Sequence, residues 1–206
     1  MDFVVCGWFT PDYHHWWDRL RRNLDDIGAP HDFVQVSKEG GGWERNTMRK
    51  PHEVLAAMDR HSDKTVIFLD VDCIVSSLKG LHELASIQGD VGLHFAAYWR
   101  RRRWHGPATK HWFHTGTMVL KPTAAARRFV KTWILEGENA PPFSVDQNSL
   151  IIALGKGGVT VTFLDDRFCT KRSKSSASSI IIHDTASVLN NKATRLGRVM
   201  RLLCGG

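Results

Sequence analysis

Two kinds of stretch alternate along the chain: short runs that are almost wholly apolar, and longer ones in which apolar positions recur every three or four residues. The first kind is typical of buried strands and the second of amphipathic helices. Apolar runs predict strands at residues 3–9, 32–36, 65–69, 91–97, 113–120, 159–164 and 180–182. Helical spacing predicts helices at residues 13–27, 51–60, 78–87, 124–135 and 145–154. Strands that alternate with helices indicate an α/β fold with a central, mostly parallel or mixed sheet flanked by helices.

Residues that favour helix ends fix the expected boundaries. Asp12 is expected to cap the first helix, and Gly28 to end it. The sequence 137–142 is expected to break the helix before it, and Ser144 to cap the helix that follows. Asp146 and Gln147 fall in the first turn of that helix. An acidic residue there complements the helix dipole, so capping is an alternative to a functional role for Asp146.

Two polar segments predict loops. Residues 38–43 contain three consecutive glycines, but no Gly-Lys-Ser or Gly-Lys-Thr follows, so the segment is a flexible loop and not a P-loop. Residues 165–179 are polar, basic and rich in serine, which predicts a loop that is mobile or becomes ordered around a ligand.

The stretch Thr-Val-Ile-Phe-Leu-Asp-Val-Asp-Cys-Ile-Val, residues 65–75, is the strongest chemical signal. Asp70 and Asp72 follow a buried strand, and alternation along an extended chain places both carboxylates on one side. Two like charges there are costly unless a cation lies between them. Because open α/β sheets bind ligands at the carboxyl ends of their strands, the pair predicts a divalent metal site that holds an anionic ligand. Two solvated turn aspartates are the alternative.

Three further residues occupy positions of interest. Lys50 lies at the start of a helix, where a lysine gains nothing from the dipole, so it is either functional or solvated. Gly116 lies within a predicted strand, where a glycine often marks the close approach of a ligand or another backbone. His183 ends a short strand in a position suited to a metal ligand, although most histidines are not ligands.

Composition narrows the setting of the chain. Its 206 residues suit one domain, and no apolar run approaches the ~18 residues of a spanning helix. The start has an acidic second residue and no basic region, so it is interpreted as a first strand and not a signal peptide. The four cysteines lack any Cys-x-x-Cys pair, which favours a reducing, cytoplasmic setting without a disulfide framework. A net charge of +7 favours an anionic partner such as a nucleotide, a nucleic acid or an acidic membrane surface.

Two basic segments add to this picture. Residues 98–112 interleave arginines and lysine with tyrosine and tryptophan, which suits contacts with phosphate, sugar or nucleic acid, or a solvated loop. Residues 192–203 predict a basic amphipathic helix that packs at the end of the chain or, less readily, contacts a membrane surface.

The order of these features resembles the GT-A-fold, DxD-containing nucleotide-sugar glycosyltransferases, in particular small bacterial relatives of the glycogenin and galactosyltransferase group. The matching pieces span residues 3–187. They are VVCGWFTPDY, W-x-RNT-x-x-K-P, FLDVD, FHTG, DQN and IIIHDTAS. The resemblance implies one Rossmann-like GT-A domain over residues 1–206. In it, 1–97 form the nucleotide-binding half, 98–190 the donor-sugar and acceptor half, and 191–206 a C-terminal basic helix.

The resemblance also implies a hexosyltransferase-like activity that moves a sugar from a nucleotide-diphosphate sugar, with UDP as the expected nucleotide. Mn²⁺ or Mg²⁺ is the implied metal, and the acceptor is a carbohydrate, a lipid-linked sugar or a protein. Contact with the inner face of a membrane through the basic segments is compatible with this activity. The resemblance assigns roles to nine residues. Thr10 and Tyr13 would contact the uracil and ribose, and Lys50 the donor phosphate or sugar. Asp70 would contact the ribose and the metal, Asp72 and His183 would bind the metal, and Gly116, Asp146 and Gln147 would line the donor-sugar pocket.

The sequence differs from the family pattern at three places. His114 stands where the family usually has asparagine, the DQN run lacks a final acidic residue, and no G-x-K-P-W run follows His183. These differences concern the donor sugar and the carboxy-terminal half of the site. Through the DQ pair and the late histidine, the family resemblance implies retention at the anomeric carbon, with Asp146 or Gln147 as the best-placed catalytic candidate.

Two other functions fit part of the sequence. A haloacid-dehalogenase-type phosphatase also follows an apolar strand with Asp-x-Asp; Asp70 would be its nucleophile and Asp72 its acid/base, with Asp165 and Asp166 imitating a late acidic motif. A basic nucleic-acid-binding module would explain residues 98–112 and the charge, but not the buried aspartate pair.

Overall fold

A computed structural model of the protein describes residues 2–38, 40, 43–97, 111–141 and 144–184. Every predicted strand and helix is present in the predicted order, and the structure adds a helix at Trp43–Thr47 and strands at Cys73–Val75 and Thr170–Lys171 that the sequence did not predict. The strands are β1 (Phe3–Phe9), β2 (His31–Gln35), β3 (Thr65–Leu69), β4 (Cys73–Val75), β5 (Val91–Ala97), β6 (His111–Leu120), β7 (Val161–Leu164), β8 (Thr170–Lys171) and β9 (Ile181–His183). The α-helices are α1 (His14–Asp26), α2 (Trp43–Thr47), α3 (Lys50–Arg60), α4 (Leu78–Ala85), α5 (Ala124–Glu138) and α6 (Asp146–Gly155).

A six-stranded sheet forms the centre, with strand order β2-β1-β3-β6-β5-β7. Every strand in it runs in one direction except β6, which is antiparallel to both of its neighbours. The mostly parallel, mixed sheet of the predicted α/β class is therefore confirmed. A second, three-stranded sheet has the order β4-β9-β8.

Helices cover both faces of the central sheet, which explains why β3 is apolar at every position. Val66 and Phe68 pack into one core with α3, α5 and α6. Ile67 and Leu69 point the other way, into a core that contains α1, α4 and part of the small sheet. All five residues of β3 are buried. A strand that is buried on both faces has no polar side, as the continuous apolar run predicted.

The carboxyl ends of β1 and β3 meet at one edge of the central sheet because the two strands are parallel and adjacent. The antiparallel β6 passes the same edge in its middle, where Thr117 lies opposite Leu69. The small sheet brings the end of β9 there as well, because His183 pairs with Cys73. Residues from four distant parts of the sequence therefore converge at this edge.

Several predicted helix boundaries differ from those in the structure. Asp12 does not cap α1; a 3₁₀ turn over Pro11–Tyr13 comes first, and the carboxylate of Asp12 instead accepts a hydrogen bond from Thr10. α5 ends at Glu138, three residues beyond its predicted end and within the segment 137–142 that was expected to break it. Val145, not Ser144, precedes α6, and its N–H donates to the side chain of Asn148.

Other differences are smaller. The predicted loop 165–179 contains β8 and two 3₁₀ turns, Asp166–Phe168 and Arg172–Lys174. Its carbonyl at Arg167 accepts a backbone hydrogen bond from Ile180, which fastens the segment to the strand that follows. The helix after β4 ends at Ala85, two residues before its predicted end.

The basic segment 98–112 lies outside the described residues up to 110, and so does the predicted helix 192–203. Over the part of the chain that is described, no helix combines the length and apolarity that crossing a membrane requires.

Candidate active site

A buried lysine occupies the centre of the convergent edge. Lys50 is the first residue of α3 and is only 7% exposed. Its Nζ lies 2.8 Å from Oδ1 of Asp70 and 3.6 Å from Oδ2 of Asp146. It also donates to the carbonyl of Thr115 at 3.3 Å and to the hydroxyl of the same residue at 3.2 Å. Lys50 is therefore not a solvated surface lysine, and it links β3, β6 and α6.

The charges of this cluster are coupled. Burial alone would lower the pKa of Lys50, but the carboxylates of Asp70 and Asp146 outweigh burial and raise it above the usual value. Burial would likewise raise the pKa of Asp70, yet Lys50 holds it below its usual range. Burial dominates at Asp146 and raises its pKa, although Lys50 opposes the shift. The arrangement keeps Lys50 and Asp70 charged.

Asp146 lies deepest of these groups, with a side chain that is 4% exposed. Its Oδ2 is buried without a hydrogen-bond partner. Its backbone carbonyl accepts hydrogen bonds from the indole of Trp133 at 2.8 Å and the hydroxyl of Ser149 at 3.0 Å. These bonds anchor the first turn of α6 and hold the carboxylate toward Lys50, so Asp146 does more than complement the helix dipole.

Gly116 lets two functional groups approach the backbone of β6. A Cβ atom built on it would lie 3.0 Å from Oδ2 of Asp70, 3.0 Å from Nδ1 of His183 and 2.8 Å from Cε1 of the same ring. The Asp70 carboxylate and the His183 imidazole are therefore neighbours across the space that a larger side chain would fill. The backbone N–H of Asp70 also donates to the carbonyl of Gly116 at 3.0 Å. The sequence predicted close approach of a ligand or another backbone at this glycine, and in the structure the side chains of Asp70 and His183 approach it.

His183 is buried, and both of its ring nitrogens have neighbours. Nε2 lies 2.8 Å from the hydroxyl of Thr117, and Nδ1 lies 3.3 Å from Sγ of Cys73. Burial, with a smaller contribution from the nearby His114, lowers the pKa of His183 to about 3. The imidazole is therefore neutral at physiological pH, which is the form that binds a metal.

The donor atoms at this edge fit a divalent cation. Asp72, Cys73 and His183 each place one potential ligand atom within 4.8 Å of the other two. The carboxylate of Asp70 lies outside this group, on the other side of Gly116 from the His183 ring, where Oδ2 and Nδ1 are each 3.0 Å from a Cβ built on the glycine. Carboxylate oxygens and a neutral imidazole are ligands for first-row transition metals, so these residues fit the metal that the sequence implies.

An arginine of α1 fixes the backbone that carries the aspartate pair. The guanidinium of Arg19 donates to the carbonyl of Asp72 at 3.1 Å and to that of Cys73 at 3.3 Å. It also pairs with Asp184, one residue beyond His183, at 2.5 Å. Asp184 donates its backbone N–H to the same Asp72 carbonyl at 2.9 Å. This network joins the segment that carries Asp72 to the end of the strand that carries His183.

The remaining predicted residues lie at or next to this edge. Thr10 directly follows β1, the strand beside β3, and is buried, and Tyr13 ends the 3₁₀ turn that follows. Gln147 is half-buried next to Asp146, whose carboxylate accepts a hydrogen bond from its backbone N–H. The structure thus brings Lys50, Asp70 and Asp146 into direct contact.

A row of histidines lies beside the site and was not predicted as a group. The His114 ring is 5.4 Å from that of His183 and 6.3 Å from that of His94. His94 bonds the carboxylate of Asp166 at 2.7 Å. Nδ1 of both His94 and His114 is buried without a hydrogen-bond partner. The pairing of β5 with β6 creates this row, and no spacing in the sequence signals it.

Comparison with solved structures places this geometry in a known fold. The structure matches a glycosyltransferase involved in the glycosylation of the major capsid of PBCV-1, with a TM-score of 0.64 and 13% sequence identity. The match covers 89% of this chain and 92% of the other protein. It matches the galactosyltransferase LgtC, solved with donor and acceptor sugar analogs, over 88% of this chain and 87% of the other, at 11% identity and a TM-score of 0.54. The chain has a GT-A glycosyltransferase fold.

A third match has a different span. The glycosyltransferase GlyE of Streptococcus pneumoniae matches over 87% of this chain but 54% of its own, at 12% identity and a TM-score of 0.52. No protein-family model matches the sequence, and neither does any curated protein. At these identities the likeness establishes the fold, and the residues of the site must carry the argument for activity.

Proposed function

We propose that the protein is a metal-dependent glycosyltransferase that moves a sugar from a nucleotide-diphosphate sugar, with a UDP-sugar as the leading donor. One observation carries the proposal. In a GT-A fold, Lys50, Asp70, Asp146 and His183 converge at the edge where the parallel strands end. Such an edge is where open α/β sheets bind ligands.

Asp70, Asp72 and His183 are the protein groups proposed to hold the cation. Two carboxylates and an imidazole suit Mn²⁺, and Mg²⁺ is the alternative. A bound cation there would neutralise the charge that develops on the nucleoside diphosphate as the sugar leaves. The buried Lys50 holds the Asp70 carboxylate in place and keeps it ionised, which preserves a ligand of the site.

Lys50 has a positioning role in this account. An ammonium group has three donors, and three oxygen acceptors, one from Asp70 and two from Thr115, already surround this one. The contact with donor phosphate or sugar that the family resemblance implies stays a prediction. It requires Lys50 to exchange one of these partners when the donor binds.

The donor sugar is proposed to lie beside the start of α6. Asp146 is buried against Lys50, whereas Gln147 is half-buried at the same turn, so Gln147 is the better placed to touch the sugar. A glutamine also occurs in the active site of LgtC, where a solved active-site mutant replaces it with glutamate. Retention at the anomeric carbon is the stereochemical outcome we favour.

Thr10 and Tyr13 are proposed to contact the uracil and ribose, because they follow the strand next to the cation site. The acceptor is proposed to be a carbohydrate, free, lipid-linked or on a protein. A cytoplasmic location, with contact at the inner membrane face through the basic segments, completes the proposal.

The test is to incubate the protein with Mn²⁺ and a panel of nucleotide sugars, and to measure released nucleoside diphosphate. The proposal predicts slow release from one donor that is lost on removal of the metal. Asp72→Asn should abolish release, while Asp63→Asn, an exposed aspartate in the turn before β3, should leave it unchanged.

The same assay separates the alternatives. A phosphatase would cleave a generic phosphate ester and ignore nucleotide sugars, which would contradict the proposal. A phosphatase would use Asp165 and Asp166 as its late acidic motif, but both carboxylates have other partners. The Asp165 carboxylate accepts a hydrogen bond from the backbone N–H of Arg167, and the Asp166 carboxylate forms a hydrogen bond with His94. Binding to DNA or RNA with steep salt dependence, and to no nucleotide sugar, would favour a nucleic-acid-binding module.

A further inference from the structure

A lysine on β8 lies beside the last residue of β9. Lys171 and His183 are partners in the parallel register of these two strands. Partners in register place their side chains on the same face of a sheet. That face is turned toward the central sheet, because Nε2 of His183 lies 2.8 Å from the Thr117 hydroxyl and its ring approaches Gly116. Lys171 is therefore directed to the cation site, and the proposed function gives it no role.

The charge of Lys171 acts on the same group of residues. The His114 ring lies 5.4 Å from that of His183. Burial is the main cause that lowers the pKa of His114 to about 4, and the positive charge of Lys171 is one of the smaller causes. Burial, with a contribution from Asp70, raises the pKa of Cys169 to about 12, and Lys171 opposes that rise. The ammonium group therefore lies within electrostatic reach of this edge of the site.

The other charges at the cation site are compensated within the protein. Lys50 has the carboxylates of Asp70 and Asp146 as neighbours. The rings of His114 and His183 are neutral at physiological pH, because burial lowers their pKa values to about 4 and about 3. A divalent cation would in turn be balanced by the Asp-x-Asp carboxylates. A diphosphate bound there is therefore stabilised by a cation from another element.

Two other basic residues near the end of β9 are engaged with the protein itself. Arg19 of α1 and Arg172, which follows β8, both form ion pairs with Asp184. Lys174 lies further along the same turn and is exposed, whereas Lys171 is half-buried. Register, burial and charge therefore single out Lys171 among the basic residues of β8 and the turn after it.

We propose that the ammonium of Lys171 binds the diphosphate of the nucleotide-sugar donor, beside the cation ligand His183. This inference rests on the proposed function and adds a phosphate contact that does not require Lys50 to exchange a partner. A charge-assisted hydrogen bond of this kind also stabilises the nucleoside diphosphate as it leaves the sugar.

Calorimetric titration of UDP in saturating Mn²⁺ tests the contact. Lys171→Met removes the ammonium and should raise the Kd for UDP more than about tenfold, because a hydrogen bond to a charged group is lost. Lys171→Arg keeps a cation and should recover most of the affinity. Lys174→Met is the matched control: it removes an exposed lysine of the adjoining turn and should change the Kd less than about twofold.

Binding of Mn²⁺ alone separates the loss of charge from structural damage. Removal of a positive charge beside the site should leave the Mn²⁺ affinity of Lys171→Met unchanged or higher. A fall in Mn²⁺ affinity that matches the fall in UDP affinity would overturn the proposal, because the substitution would then have damaged the cation site. A Lys171→Arg protein that binds UDP as weakly as Lys171→Met would overturn it too.

The inference and the proposed function fail in different ways. If the wild type binds UDP with Mn²⁺ and Lys171→Met binds it equally well, the lysine contact is refuted and the proposed function stands. If the wild type binds no UDP in the presence of Mn²⁺, both are refuted. Lys171→Gln repeats the test should circular dichroism show that Lys171→Met does not fold.

Discussion

Replacing Lys50 with methionine removes the cation that two carboxylates share, while preserving most of the side-chain volume. Asp70 is then left without a counter-charge 2.8 Å away, and Asp146 without one at 3.6 Å. Breaking a buried ion pair by removing one partner costs about 3–5 kcal/mol. Because the Asp70 side chain is 39% exposed, water offsets part of this cost, and we expect a loss of about 2–4 kcal/mol.

Thermal and urea unfolding measure this loss. For a chain of this size about 3 kcal/mol corresponds to a fall of roughly 6–12 °C in Tm. Lys156→Met is the matched control, since Lys156 also pairs with a carboxylate, Glu136, but is 54% exposed. Its loss should cost no more than about 1 kcal/mol.

The double variant Lys50→Met/Asp146→Asn sharpens the test. It removes the stranded carboxylate and should recover part of the stability, which yields a coupling energy from the double-mutant cycle. The raised pKa of Asp146 adds a pH signature: its favourable contribution is present below its unfolded pKa and is lost as pH rises through the folded value. The deficit of Lys50→Met should therefore be larger at pH 8 than at pH 5. Equal stability of the Lys50→Met and Lys156→Met proteins, or no coupling to Asp146, would refute the reasoning.

Three further predictions concern the cation site and its surroundings. Gly116→Ala puts a Cβ within 3.0 Å of the His183 ring and should weaken cation binding more than about tenfold by titration, whereas Gly155→Ala, with nothing within 4 Å, should not. Thr117→Val removes the hydrogen-bond partner of His183 Nε2 and should cost about 10–100-fold in affinity; unchanged affinity would exclude a role in fixing the tautomer. Burial lowers the pKa of His114 from 6.5 to about 4, so its contribution to stability is lost as pH falls through that window, and His114→Asn should flatten the acid decline in unfolding free energy.

The sequence predicted best where local pattern and burial agree. β1 and β3 begin and end where their apolar runs do, because a strand buried on both faces must be apolar throughout. The metal pair at Asp70 and Asp72 could be proposed for the same reason: charge at the end of such a strand is costly unless it is compensated. Gly116 could be singled out because glycine weakens a strand, so a glycine within one often marks a position where another group approaches the backbone closely.

What the sequence did not reveal depends on pairing between distant segments. Cys73 meets His183 only because β4 and β9 pair in one register, and a register between strands 110 residues apart leaves no trace in local periodicity. The ion pair between Lys50 and Asp146 could not be predicted for the same reason, because Asp146 lies on α6, far from Lys50 in the sequence. The predictions at Asp12 and Ser144 were wrong because Tyr13 and Val145, which are not typical capping residues, precede these two helices, so cap preference alone does not fix where they begin.

The most direct measurement of the central claim is the Tm of the protein with UDP, with Mn²⁺ and with both. If a cation held by Asp70, Asp72 and His183 binds the diphosphate, each ligand should strengthen the other. At 100 times the Kd, the pair should stabilise the protein by about 2.7 kcal/mol, which is roughly 5–10 °C at this chain length. UDP alone should have little effect, and Asp72→Asn should abolish the joint shift. Shifts that merely add, or a joint shift that survives in Asp72→Asn, would contradict the account.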